Sequence, residues 1–325
     1  MKNKKNIIMT TFTILLGVLL LALYVITGVY GLSQEDKSLY KKALLMQSVA
    51  DNVGFNDFSL EDYPVAFFDG TNEYVITLNG DVEKREPVLG VLVATTSSVN
   101  GHMEVFVPTY KTFTTLIGTI KVVDYASSGN TTTELSEQAI FISTIWHEAF
   151  HAWQITNYAN NIDSIRTSHP NNLYSETIDE TTIAKEIDGN PQVRAIYEKE
   201  LELLQKAVFE NDTEELKNIV KELVILENER SNLVSTALLN EETILELMEG
   251  SAYYLESKIY LDICGEEAYT AYYLNNISSY ENGNTKYYKI GMVKCLILDK
   301  LDPSWKNDFK MDSSFTERLE SLLWE

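Results

Sequence analysis

Cysteine is nearly absent: only Cys264 and Cys295 occur in 325 residues, and no C-x-x-C spacing is present. That excludes a disulfide framework and any cysteine-built zinc or redox centre as the organising chemistry. The two thiols could pair in an oxidising compartment or lie buried separately. Positive charge is also short, with 26 Lys and Arg against 48 Asp and Glu and a formal net charge of -22. A surface of that sign repels phosphate, so nucleic acid is a poor partner. Past the N-terminal lysines, the chain has no electrostatic means of holding an anionic lipid surface. Internal repeats and low-complexity tracts are missing too. With 45% hydrophobic and 23% charged residues, the composition is that of a folded globular protein, not a disordered one.

One long hydrophobic run exists, at the N-terminus. Ile7 to Leu32 contains no charged residue, and as a helix it is long enough to cross a bilayer. Lys2, Lys4 and Lys5 precede it, whereas Glu35 and Asp36 follow. The positive-inside rule then predicts a single-pass anchor with a cytoplasmic N-terminus and an extracytoplasmic main domain. The alternative is a cleaved signal peptide, with Gly28 and Gly31 near the cleavage site and a secreted product.

The expected fold class is α+β: an N-terminal transmembrane helix, a small mixed β-sheet subdomain, and a mainly α-helical subdomain. The boundaries are 1–32 for the cytoplasmic stub and anchor, 33–126 for a helix plus the β-rich part, and 127–325 for the helical part. Leu39, Ala43, Met46 and Ala50 predict one helix over Ser33–Val53, stopped by Gly54. Pro64–Asp69 and Glu73–Leu78 read as a hairpin around Gly70-Thr71-Asn72. Val88–Thr95 and Met103–Pro108 read as two further strands, turned at Asn100-Gly101. From Ser127 the pattern becomes helical, with an apolar segment reaching about Trp153 and a polar region from Thr156 to Pro191, broken at Pro170 and Pro191, that reads as loop and short helices. A helical hairpin follows, Gln192–Phe209 and Asp212 to about Leu239, with Leu216, Ile219, Leu223, Leu226 and Leu233 as its apolar stripe. Asn240 is the expected cap of a helix from Glu241 to about Tyr260, and a last apolar helix covers Lys286–Leu301.

Histidine is scarce, 4 in all, yet two of them fall in one pentapeptide, His147-Glu148-Ala149-Phe150-His151. This H-E-x-x-H pattern lies in an apolar helical stretch with Ile145, Trp146 and Trp153. On a helix, positions i and i+4 point the same way, so both imidazoles can bind one zinc while Glu148 addresses an adjacent water. His102 and His169 lie in loop-like contexts and read as ordinary surface histidines.

These five residues and their helical setting resemble the zincin metallopeptidases, in which the histidines bind zinc and the glutamate is the general base. The metzincin branch would need Gly and His where Gln154 and Asn157 stand. The gluzincin branch takes its third ligand from a glutamate on a later helix. The best candidate is Glu249, beside Leu245, Met248 and Ala252 at the margin of an apolar face, with Glu246 pointing toward solvent. Gly250, Ser251 and Ala252 would let two helices approach closely. Glu256, Glu180 and Glu186 remain alternatives. Thermolysin-like members carry an aspartate four residues after the third ligand; Tyr253 stands there. Tyr253 or Tyr254 could polarise a carbonyl, and Tyr287 or Tyr288 could also face the cleft.

The resemblance implies zinc held by His147, His151 and Glu249, Glu148 as catalytic base, and hydrolysis of a peptide or protein substrate in a cleft between the two parts. The competing expectation is a non-catalytic zinc-binding or partner-binding surface protein.

Overall fold

Ser33 opens the first helix by accepting the Asp36 N–H on its hydroxyl, and α1 runs Gln34–Leu45. The structure, a computed structural model, describes residues 31–55, 57–90, 92–116, 134–167 and 180–323, with the side chains of 134, 135, 180 and 181 outside the description. The single helix expected over Ser33–Val53 is divided at Met46, and α2 covers Gln47–Val53 before a left-handed Gly54 with φ +96°. That conformation costs glycine little, so the helix stops there. Asp36 is buried, but its carboxylate accepts the Tyr110 N–H at 2.7 Å and the Ser33 hydroxyl, so the charge is not stranded.

Five strands follow: β1 Val65–Phe68, β2 Glu73–Ile76, β3 Val82–Arg85, β4 Thr95–Val99 and β5 His102–Pro108. They pair in the order β3-β2-β1-β5-β4, antiparallel except for β1 with β5, which makes the sheet mixed. The hairpin around Gly70 stands as expected, its turn held by Asp69 accepting the N–H groups of Thr71 and Asn72. The expected strand at Val88–Thr95 does not form. Val88, Leu89, Leu92 and Val93 are exposed in a connection, while the polar segments V-E-K-R and T-T-S-S-V are the edge strands. Edges carry charge and hydroxyls because their outer side meets water, so hydrophobicity misplaced them. Val65, Phe67, Tyr74 and Ile76 turn one face of the sheet into the main core, whereas Ala66, Val75 and Phe106 form a small cluster on the other.

The longest helix, α3, spans Glu134–Thr167 and runs well past Trp153. The polar stretch expected to hold loop and short helices is helical as far as Thr167, and its polar side chains are satisfied by the helix's own carbonyls. Thr156 donates to Ala152 O, Asn157 to Trp153 O, Ser164 to Asn160 O and Thr167 to Asp163 O. The hairpin of α4 (Pro191–Phe209) and α5 (Thr213–Ser231) forms, with Asp212 capping α5, but α5 ends at Ser231 and not near Leu239, where a separate helix already runs. Leu216, Ile219 and Leu223 are buried, but Leu233 lies past the helix end and is 43% exposed.

Ser235, not Asn240, caps α6 (Thr236–Leu245), which continues through a π-helical turn, Glu246–Gly250, into α7 (Ser251–Cys264). A short helix, Glu266–Tyr269, runs into a further π-turn, Thr270–Leu274, the third after Ala184–Asp188 and Glu246–Gly250; α8 (Thr285–Leu301) and α9 (Phe315–Ser321) follow. One apolar cluster joins the inner sheet face to the helices. At its centre Phe55 lies 4.7 Å from Phe150 and 5.7 Å from Trp305, ring centre to ring centre. Trp146 donates its indole N–H to Ala43 O at 3.0 Å, which fixes α1 against α3.

Two expectations are corrected here. Among the described residues no helix is long and apolar enough to cross a membrane, against the single-pass anchoring and the transmembrane helix in the expected fold class. The segment read as anchor lies outside the described residues except for its last two positions. Leu32, assigned to the anchor, is 4% exposed within the main core, so its apolarity serves packing. The described fold is mainly helical with a small mixed sheet. Cys264 and Cys295 are both free thiols.

Candidate metal centre

The pentapeptide sits within α3, where Trp146, Ala149 and Phe150 are fully buried and hold the helix rotation. With that rotation set, His147 and His151 project side by side, one helical turn apart. Their Nε2 atoms are 3.0 Å apart. Glu249 Oε2 lies 3.1 Å from His151 Nε2 and 3.5 Å from His147 Nε2. A tetrahedral zinc with bonds of ~2.0–2.1 Å sets its donor atoms about 3.3 Å apart, and the three separations bracket that value. Two imidazoles and a carboxylate, each offering one converging atom, therefore fit a divalent cation in number, chemistry and spacing.

Glu249 reaches this position because of the π-turn. An extra residue in one turn shifts the phase of everything after it by roughly one helical position. Glu246, expected to face solvent, is consequently buried and accepts from Lys294 Nζ at 2.7 Å. The glycine at the end of the turn packs backbone to backbone on α8: a Cβ on Gly250 would overlap the Cα of Gly291. The close approach expected of the small residues is realised there.

Tyr288, one turn before Gly291, is carried by this contact to the histidines. Its ring lies parallel to His147 at 5.9 Å, and its hydroxyl hydrogen-bonds Glu249. Burial chiefly, then Glu249, pushes its phenol pKa well up. The other tyrosines considered are engaged elsewhere: Tyr254 donates to Asp299 at 2.5 Å, and Tyr287 to Glu242 at 3.0 Å. Tyr253 packs on Tyr273 and Tyr288.

Glu256, an alternative third ligand, stands behind His147 instead. Its Oε2 is 2.8 Å from Nδ1, the nitrogen facing away from Glu249, though the ring N–H is not aimed squarely at it. Behind His151, Gln154 Oε1 is 2.8 Å from Nδ1, and the Gln154 amide donates to Met248 O at 3.1 Å and Ser251 Oγ at 2.8 Å. Glu186 belongs to the separate turn Ala184–Asp188, the Glu180 side chain lies outside the described residues, His102 is exposed at the start of β5, and His169 is not described.

Electrostatics separate the three nearest glutamate and histidine groups. Burial disfavours a charged His147, but its interactions with the acceptor carboxylates of Glu249 and Glu256 outweigh that and raise its pKa to about 10. Glu249 is buried as well, yet the two imidazoles hold its carboxyl well below the usual range. Glu148 moves the other way: burial raises it, only partly offset by His151 and His147. Its carboxylate has no hydrogen-bond partner among the described residues, so it is not committed to structure.

Helical spacing alone contained the signal for Gln154, three positions after His151. Tyr288 had no comparable signal, because it arrives from a distant helix. No family model, curated protein or solved structure matches the chain.

Proposed function

We propose that the chain is a zinc-dependent peptidase, with His147, His151 and Glu249 as metal ligands and Glu148 as general base. The observation that carries this reading is the convergence of three donor atoms within 3.5 Å beside the buried carboxylate of Glu148, which has no hydrogen-bond partner among the described residues. A zinc ion bound there would supply Lewis acidity, lowering the pKa of a water and polarising a carbonyl. Glu148, its pKa raised by burial, takes a proton from the attacking water and passes it to the leaving amine. Tyr288 presents a hydroxyl next to Glu249, where it can donate to the oxygen on which charge develops. The outer edge of β4, at the end of the sheet, offers unpaired backbone groups to an extended peptide.

The competing reading, a metal-binding protein without turnover, gives Glu148 no purpose. Glu148→Gln separates the two. The variant keeps side-chain size but cannot accept the proton, so zinc content stays at the wild-type level while hydrolysis in a peptide-library screen falls ~10²–10⁴-fold. Hydrolysis at the wild-type rate would remove Glu148 from the mechanism. Loss of zinc would make it a ligand.

A further inference from the structure

We infer that Tyr273 and Glu256 form a positioning relay that sets which nitrogen of His147 is free to bind a metal; the inference rests on the metal reading of the site. Nε2 of His147 faces His151 and Glu249, and for it to offer a lone pair the ring must carry its proton on Nδ1. Glu256 Oε2 is the acceptor beside Nδ1, at 2.8 Å. The other oxygen, Oε1, accepts the Tyr273 hydroxyl at 2.8 Å. The phenol thus holds one carboxylate oxygen, and the other lies against the imidazole as an ion-pair contact, without a squarely aimed N–H.

Tyr273 is itself immobilised. It is 2% exposed and its ring is packed by Tyr253 at 5.0 Å and Tyr272 at 4.9 Å. It belongs to the π-turn Thr270–Leu274, the third such turn among the described residues after Ala184–Asp188 and Glu246–Gly250. Glu256 lies two helical turns past Glu249 along α7, so one rigid element supplies a candidate ligand and aims another. The two histidines are treated differently. His151 is backed by a neutral amide, Gln154, and His147 by a carboxylate.

The test is a double-mutant cycle on the full chain, read by competitive zinc titration and by the visible absorption of bound cobalt(II), with circular dichroism and thermal unfolding reporting the fold. Glu256→Gln should lower zinc affinity ~10–100-fold. Tyr273→Phe removes only the hydroxyl and keeps the ring packing; it should lower affinity in the same direction by a smaller factor. In the Glu256→Gln background Tyr273→Phe should have no further effect, because its hydroxyl acts only through that carboxylate. A purely structural tyrosine would instead shift thermal unfolding and give additive losses. Wild-type affinity in both single variants, or additivity, would overturn the relay while leaving the metal reading intact. A wild-type chain that binds neither zinc nor cobalt would overturn both.

Discussion

Glu148 and Glu249 flank the same two imidazoles, yet their carboxyl groups are pushed in opposite directions. Burial raises both, but only Glu249 makes direct contacts with the histidines, and these outweigh burial. The ionised group suits ligation and the one with the raised pKa suits proton transfer. At this scale much of the site was legible, because H-E-x-x-H is a local pattern whose geometry follows from a single helix. What Glu256 does was not legible: which imidazole nitrogen it faces depends on side-chain direction across two helices. Asp188 is a second residue whose environment carries a measurable consequence. It accepts from Tyr280 Oη at 2.5 Å, Gly283 N at 2.8 Å and the buried Lys286 Nζ at 3.2 Å. Burial works against its ionisation, but these partners hold its pKa below the usual aspartate value. A depressed folded pKa means the stabilisation is complete above the ordinary value of ~3.9 and is lost as pH falls through the folded one. Asp188→Asn should therefore destabilise the fold at pH 7, by about 1 kcal/mol once solvent screening of this half-buried carboxylate is allowed for. In urea unfolding the gap from wild type should narrow toward pH 3, and an equal gap at both pH values would contradict the assignment.

Elements were legible where local rules act alone. Helix α4, the Asp212 cap of α5, the turn at Gly70 and the stop at Gly54 stand where patterning and caps place them. The misplacements have one cause: composition was taken for conformation. Thr156 and Asn157 look like loop residues until their side chains are seen to bond within α3, and Val88 to Val93 look like a strand although no strand among the described residues pairs with them. The π-turn Glu246–Gly250 is beyond any fixed 3.6-residue period, and Glu246 on it, expected toward solvent, is buried against Lys294 while Glu249 keeps its expected place at the histidines. Its partner is Gly291, where a Cβ would lie 2.5 Å from Glu246 O and 2.7 Å from Gly250 Cα. Backbone atoms cannot yield cheaply, so Gly291→Ala should destabilise by ~1–3 kcal/mol through overpacking. Because the same contact sets Glu249 against α3 and Tyr288 against His147, zinc affinity should fall along with the melting temperature. A variant that loses stability but retains full affinity would show that the crossing does not position the centre.

For the molecule as a whole, the candidate donors come from two places far apart in the chain: His147 and His151 from α3, and Glu249 from the turn before α7. The two elements already share one apolar core, in which Phe150 and Tyr254 both pack on Phe55. Unfolding separates these elements, so the unfolded chain has no equivalent site and a bound ion must stabilise the fold by mass action. At a free zinc concentration 100 times the dissociation constant, the gain is about 2.7 kcal/mol. For a domain of this size each kcal/mol moves the melting temperature by ~2–4 °C, so zinc should raise it by about 5–10 °C and a chelator should reverse the shift. The increment must vanish in His147→Ala, which retains one histidine and Glu249, and must persist in Glu148→Gln, which retains all three donors. Differential scanning calorimetry at matched free zinc makes the comparison. An increment of equal size in His147→Ala would place the stabilising ion elsewhere on this acidic surface, and the centre on α3 would then have no claim to it.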